Sequence, residues 1–123
     1  MKPKIRTLWT NALESGEYIQ GAGQLCIDGK YCCLGVLCDL AVKAGVINPG
    51  TDVTLSDGIA KQYGLKAETG FLPDEVKDWA GIEYSDPYVA PDGKSGHTNQ
   101  TFSMLNDSHV PFTEIAKKIK EYL

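Results

Sequence analysis

The stretch QLCIDGKYCCLGVLCDLAVKAG, residues 24–45, predicts a β-hairpin that runs directly into a helix. Asp28-Gly29 is a favoured pair for a two-residue type I′ turn, because both central positions of that turn need a positive φ. The turn fixes the register of the two strands, so that Cys26 lies opposite Tyr31. We therefore expect this hairpin to belong to the sheet on which the helices of the rest of the chain pack.

The other elements follow from apolar spacing and from proline and glycine at the predicted ends. Helices are predicted over residues 5–13, 34–44, 56–64 (with Ser56 as its cap), 72–81 and 110–123, a single helical turn over 101–107, and a strand over 51–55. Residues 83–100 contain two prolines and two glycines, which predict a loop or a loose hairpin around PDGK. The expected fold class is α+β: a single compact domain over residues 1–123, with helices packed on a small antiparallel sheet that contains a β-hairpin.

Composition and charge exclude several classes of protein. The chain has 123 residues, 42% apolar and 23% charged, with a net charge of −4 and one arginine, Arg6. Proteins that bind long nucleic acids cluster basic residues to displace counterions, so no such partner is expected. No apolar run approaches the length of a membrane span, and the first residues are too polar for a signal peptide. We therefore expect a cytoplasmic protein without a membrane partner, and no nucleotide-fold motif predicts a cofactor.

The four cysteines, Cys26, Cys32, Cys33 and Cys38, have the spacing C-x5-C-C-x4-C. A structural zinc site normally uses C-x2–4-C pairs, so no metal is predicted. The hairpin register directs Cys26 and Cys32 to opposite faces, which argues against a disulfide between them. Because the segment is apolar throughout, the cysteines are interpreted chiefly as small hydrophobic residues of the core.

A catalytic role for one cysteine is the alternative. Cys32 or Cys33 lies where a strand passes into a helix N-terminus, where the helix dipole favours a thiolate. His97 and His109 are the only histidines that could act as its base. The alternative function is therefore a cysteine-dependent hydrolase that uses one of these pairs.

A second group of residues predicts a binding site without catalysis. These residues are polar, aromatic or glycine, and they lie just outside the predicted helices and strands. They are Tyr18, Gln20, Gly21, Gly23, Asn106 and Asp107. Glycines let a ligand approach the backbone, and a tyrosine ring with two amides offers stacking and hydrogen bonds. Such a set suits a nucleotide-like molecule, although capping and turn formation explain the same residues.

Three segments carry a resemblance over nearly the whole chain: WTNALESGEYIQGAGQL, CCLGVLCDLA with LPDEVKDWAGI, and LNDSHVPFTEIAKKI. In this order they resemble a family of small bacteriophage and prophage proteins. The resemblance implies phage origin and the cytoplasm of an infected bacterium, and it supplies no catalytic residues. We therefore expect a phage-encoded binding protein that acts against host machinery or host defence. It would sequester a small nucleotide-like ligand or a host protein, and a homo-oligomer is compatible with this role.

Overall fold

The predicted hairpin is present with the predicted register. A computed structural model describes residues 1–123, and in it β1 (Cys26–Ile27) pairs with β2 (Lys30–Tyr31) so that Cys26 lies opposite Tyr31. Asp28 has a φ of 49° and Gly29 a φ of 77°, as a type I′ turn requires. The local turn sequence therefore determines this part of the sheet.

The predicted helix over residues 56–64 is wrong, because this segment is a strand. Strand β3 (Thr51–Leu55) turns at Ser56-Asp57 and pairs antiparallel with β4 (Gly58–Gln62). Ser56 is suitable as a helix cap, but Ser and Asp followed by Gly also form tight turns. Pairing with β3 on one side and with Ile27 of β1 on the other favours the strand.

Five helices and one short 3-10 turn complete the fold. They are α1 (Pro3–Glu14), α2 (Cys33–Lys43), α3 (Asp74–Ala80), the 3-10 turn Pro91–Gly93, α4 (Phe102–Asp107) and α5 (Phe112–Tyr122). The antiparallel sheet has the strand order β2-β1-β4-β3, so the predicted α+β class is confirmed. None of the helices combines the length and the hydropathy that crossing a bilayer would require.

Helix α2 is the centre of the core. Eight of its eleven residues are buried, and the indole N–H of Trp9 on α1 donates a 2.9 Å hydrogen bond to the carbonyl of Cys33. All four cysteines are buried and free. A side chain at Gly35 would place its Cβ 1.7 Å from the carbonyl oxygen of Leu25, so only glycine lets α2 pack this closely against the residue before β1.

Candidate functional site

Asn106, near the end of α4, joins three segments that are distant in the sequence. Its side chain is 1% exposed. Its Oδ1 accepts hydrogen bonds from Nε2 of Gln20 (3.0 Å) and from the backbone N–H of Cys33 (3.1 Å). Its Nδ2 donates to the carbonyl of Gly21 at 2.7 Å. We call these three hydrogen bonds the Asn106 clamp.

Two further hydrogen bonds extend the contact between residues 20–23 and the end of α4. Nε2 of Gln20 also donates to the carbonyl of Val110 (2.8 Å), and the N–H of Gly23 donates to Oδ1 of Asp107 (3.0 Å). Five of the six residues predicted for a binding site thus lie together. Asn106 has its polar atoms occupied within the protein, so its part in a ligand site is to position the segment.

Tyr18, the sixth predicted residue, lies apart from the other five. Its ring packs edge-on against Tyr31 with 5.1 Å between centroids, and its hydroxyl donates to Asp39 on α2. Lys43 donates to the same hydroxyl at 3.1 Å. The pKa of Tyr18 is raised mainly by partial burial and secondly by the hydrogen bond to Asp39. The hydroxyl of Tyr18 is therefore held by side chains of α2.

A cleft of about 400 Å³ is lined in part by Gly23, the last residue of the segment 20–23. We name it the Phe71 cleft; its walls include Gly23, Cys32, Glu68, Phe71, Ser103 and Asp107. The ring of Phe71 is 48% exposed, which is unusual for so large an apolar side chain. The hydroxyl of Ser103 is held by the carboxylate of Asp86, whereas Oδ2 of Asp107 makes no hydrogen bond within the protein. The cleft therefore combines an aromatic surface with hydrogen-bond acceptors.

A second cleft of about 410 Å³ is lined by Gln20, Gly21 and Ala22 of the same segment, and it shares no lining residue with the Phe71 cleft. We name it the Lys30 cleft; its walls include Gln20, Gly21, Asp28, Lys30, Asn106 and His109. Lys30 takes part in no ion pair. His109 is exposed and has a φ of 66°, a backbone conformation that few non-glycine residues adopt. This cleft carries a lysine, which the Phe71 cleft lacks, beside the carboxylate of Asp28.

The cysteine environments oppose thiolate formation. Burial raises the pKa of Cys32 to about 11, although its sulfur accepts a hydrogen bond from the N–H of Gly35. Burial also raises the pKa of the fully buried Cys33, whose thiol donates to the carbonyl of Phe102. Reactive cysteines need a lowered pKa. Neither His97 nor His109 lines the cleft that Cys32 reaches.

The cleft side chains that are absent from the sequence-based prediction include Lys30, Glu68, Phe71 and Ser103. Lys30 and Phe71 carried weak signals. Lys30 directly follows the hairpin turn, and Phe71 is a large aromatic residue between Gly70 and Leu72-Pro73, where a turn ends. Nothing local marks Glu68 or Ser103, because tertiary packing alone brings them to Asp107.

Fold and site together define an α+β protein with two small polar clefts, one lined by residues 20–22 and the other by Gly23. The chain belongs to the family described as Domain of unknown function (DUF8296), whose family model matches residues 1–123. No curated protein and no solved structure matches the chain.

Proposed function

We propose that this protein is a non-enzymatic binding protein that holds a small nucleotide-like molecule at residues 20–23. The observation that carries the proposal is the pair of clefts that this segment lines, one through residues 20–22 and the other through Gly23. One cleft offers an aromatic ring and carboxylates, and the other offers a lysine without an ion pair and a histidine. A nucleotide has the matching chemistry, with a flat base that donates hydrogen bonds and an anionic phosphate.

The Phe71 cleft suits the base. An exposed aromatic ring stacks on any base, and such stacking contributes about 1–3 kcal/mol per base. The carboxylates of Glu68 and Asp107 accept hydrogen bonds from ring N–H and exocyclic amino groups. Two carboxylates repel phosphate, so they favour the base over the anionic end of the molecule.

The Lys30 cleft suits the phosphate. Lys30 is its cationic group, and the ring nitrogens of His109 offer a further hydrogen bond. Arg6 does not serve this role, because its guanidinium donates to the carbonyl of Leu123. The nucleotide would cross the segment near Gly23, where the missing side chain exposes the backbone.

The resemblance to bacteriophage and prophage proteins supports a biological role for such binding. A phage protein that sequesters a nucleotide-like signal in the cytoplasm of an infected bacterium would act against host machinery or host defence. The cysteine hydrolase has no comparable support, because burial raises the pKa of both candidate thiols.

The proposal is tested by titrating the protein with the four ribonucleoside monophosphates and their nucleosides by calorimetry. Phe71→Ala should weaken binding of both classes about tenfold, as loss of one stacking contact predicts. Lys30→Ala should weaken the nucleotides and leave the nucleosides unchanged, since only the nucleotides carry phosphate. Leu65→Ala, at an apolar side chain that is 94% exposed and lies outside both clefts, is the matched control.

Two results would overturn the proposal. One is the absence of binding for every nucleotide and nucleoside at millimolar concentration. The other is an equal effect of Phe71→Ala and Leu65→Ala. Loss of nucleoside binding in Lys30→Ala would instead contradict the assignment of phosphate to that cleft.

A further inference from the structure

A groove of about 570 Å³ is lined by α1, by Trp79 of α3 and by Ala44 at the end of α2. Its walls include Lys2, Lys4, Ile5, Leu8, Asn11 and Trp79. None of these residues lines the Phe71 cleft or the Lys30 cleft. The start of α1 is fixed beside the end of α3, because the N–H of Lys2 donates to the carbonyl of Ala80 at 2.8 Å. The groove is therefore bounded by two helices held in a defined position.

The floor of the groove is apolar and open. Leu8 is 42% exposed, although its neighbour Trp9 is completely buried. Trp79 is only partly buried against the core and presents the rest of its ring to the groove. Half-exposed aromatic and aliphatic side chains in a concave surface are typical of the centre of a protein interface.

The rim of the groove is basic, and its charge is not neutralised. Eight of the chain's eleven lysines form ion pairs with acidic side chains. The three that form none are Lys2, Lys4 and Lys30, and the first two lie on this rim. No acidic residue lines the groove, although the chain has sixteen acidic residues and a net charge of −4. The groove is thus a local basic site on an acidic protein.

From this complementarity we infer that the groove binds an acidic amphipathic helix of another protein. Lys4, Leu8 and Asn11 recur at i, i+4 and i+7, so they form one stripe of about 10 Å along α1. Such a stripe matches two apolar anchors, one turn apart, on a docking helix. The anchors contact Leu8 and Trp79, and carboxylates beside them pair with Lys2 and Lys4.

Trp79 makes the inference directly measurable. The chain has two tryptophans, and Trp9 is buried and hydrogen-bonded within the core. A change of tryptophan emission on binding therefore reports Trp79. The probe is a short synthetic amphipathic helix with leucine and phenylalanine on one face and glutamate on its flanks. Its matched control carries lysine in place of glutamate.

The glutamate peptide should shift the emission of the wild-type protein, and the lysine peptide should not. Replacing Lys2→Glu and Lys4→Glu together should weaken the glutamate peptide on the order of tenfold and allow the lysine peptide to bind. Replacing Lys117→Glu and Lys118→Glu together makes the same change of net charge on α5 and should leave both results unchanged. Thermal melting checks that each variant is folded.

Failure of the glutamate peptide to bind at millimolar concentration would overturn the inference, as would equal effects of the two double variants. Self-association that Leu8→Ser abolishes would assign the groove to a second copy of the chain. Loss of binding to phosphatidylserine vesicles in the same variant would assign it to a lipid surface. Both of these outcomes contradict the inferred helix. The nucleotide titrations are unaffected in every case, so they test the proposed function separately.

Discussion

Helix α2 and residues 20–23 both contact α4, but they are held in the fold mainly by different kinds of interaction. Helix α2 is held mostly by apolar contacts in the core and by the close approach of Gly35 to the backbone of Leu25, with two hydrogen bonds from Cys33 to α4. Residues 20–23 are held by hydrogen bonds to Asn106 and Asp107. Apolar contacts tolerate changes of chemistry that preserve volume, whereas buried hydrogen bonds tolerate none that leave a partner unpaired. The two regions should therefore respond differently to the same kinds of substitution.

The largest loss of stability is expected at Gly35, where α2 leaves no space for a side chain. Gly35→Ala would place a methyl group 1.7 Å from the carbonyl oxygen of Leu25, a backbone atom that cannot rotate away as the end of a flexible side chain can. We expect a loss of at least ~3 kcal/mol in the free energy of unfolding, measured by urea denaturation. Gly96→Ala is the control, because that position has no neighbours and no positive φ. If Gly35→Ala melts like the wild type, the close packing of α2 described above is wrong.

The Asn106 clamp should give the next largest effect. Asn106→Ala leaves the N–H of Cys33 and the carbonyl of Gly21 without their partner, while Gln20 keeps its hydrogen bond to Val110. Each unpaired buried group costs about 1–3 kcal/mol. We expect a total loss of about 3 kcal/mol, with Asn99→Ala, at an exposed loop position, as the control.

Asn106→Leu sharpens this test, because leucine has a similar volume but cannot form hydrogen bonds. It should destabilise the protein as strongly as Asn106→Ala. A leucine variant with wild-type stability would show that residue 106 acts by packing, as the residues of α2 do.

Cys32 should give a smaller effect, with a characteristic dependence on pH. Cys32→Ala should cost about 1 kcal/mol at pH 7, because it removes one buried sulfur. Burial raises the pKa of Cys32 from 9.0 to about 11, so the unfolded chain loses this proton at a lower pH than the folded chain. The contribution of Cys32 to the free energy of unfolding should therefore be constant below pH 9 and fall as the pH rises towards 11.

The same argument predicts how Cys32→Ala changes the pH profile. The variant should lose less stability between pH 9 and 11 than the wild type, while Cys33 and Cys38, whose pKa values are also raised by burial, keep part of the slope. Identical slopes would contradict a buried neutral thiol at position 32. Rapid labelling of Cys32 by iodoacetamide at neutral pH would instead favour the hydrolase.

The smallest effect is expected at Tyr18, which contacts α2 through a partly exposed polar group. Tyr18→Phe removes the hydrogen bonds to Asp39 and Lys43 but keeps the ring against Tyr31. The loss should stay below ~1 kcal/mol. Nucleotide binding should not change, since Tyr18 lines neither cleft. A large loss of nucleotide binding with unchanged stability would show that Tyr18 is part of the ligand site.

The sequence predicted those parts of the fold that short stretches determine. The type I′ turn at Asp28-Gly29 set the hairpin register, and α2 begins and ends within one residue of its prediction. Strand β4 was missed because Ser56 is compatible with both a cap and a turn, and only its two neighbouring strands resolve the ambiguity. Where the local sequence favours a helix and a strand equally, tertiary contacts decide which of the two forms.

The candidate site was predictable only in part, for the same physical reason. Residues 20–23 and 106–107 were selected by residue type, and the structure brings them together. The polarity of Tyr18 gave no sign that its hydroxyl faces Asp39 rather than the same segment. Nothing local in the sequence indicated that Asn106 is buried, because its hydrogen-bond partners lie 73 to 86 residues away along the chain.

The length of those separations has a consequence for the kinetics of folding. The hairpin and α2 are neighbours in the chain and can form early, whereas the Asn106 clamp closes only after a long loop has been ordered. Its hydrogen bonds should therefore be absent from the folding transition state. Asn106→Ala should accelerate unfolding in stopped-flow experiments and leave the refolding rate nearly unchanged. The segment that forms one wall of both clefts would then be the last part of the molecule to settle and the first to detach.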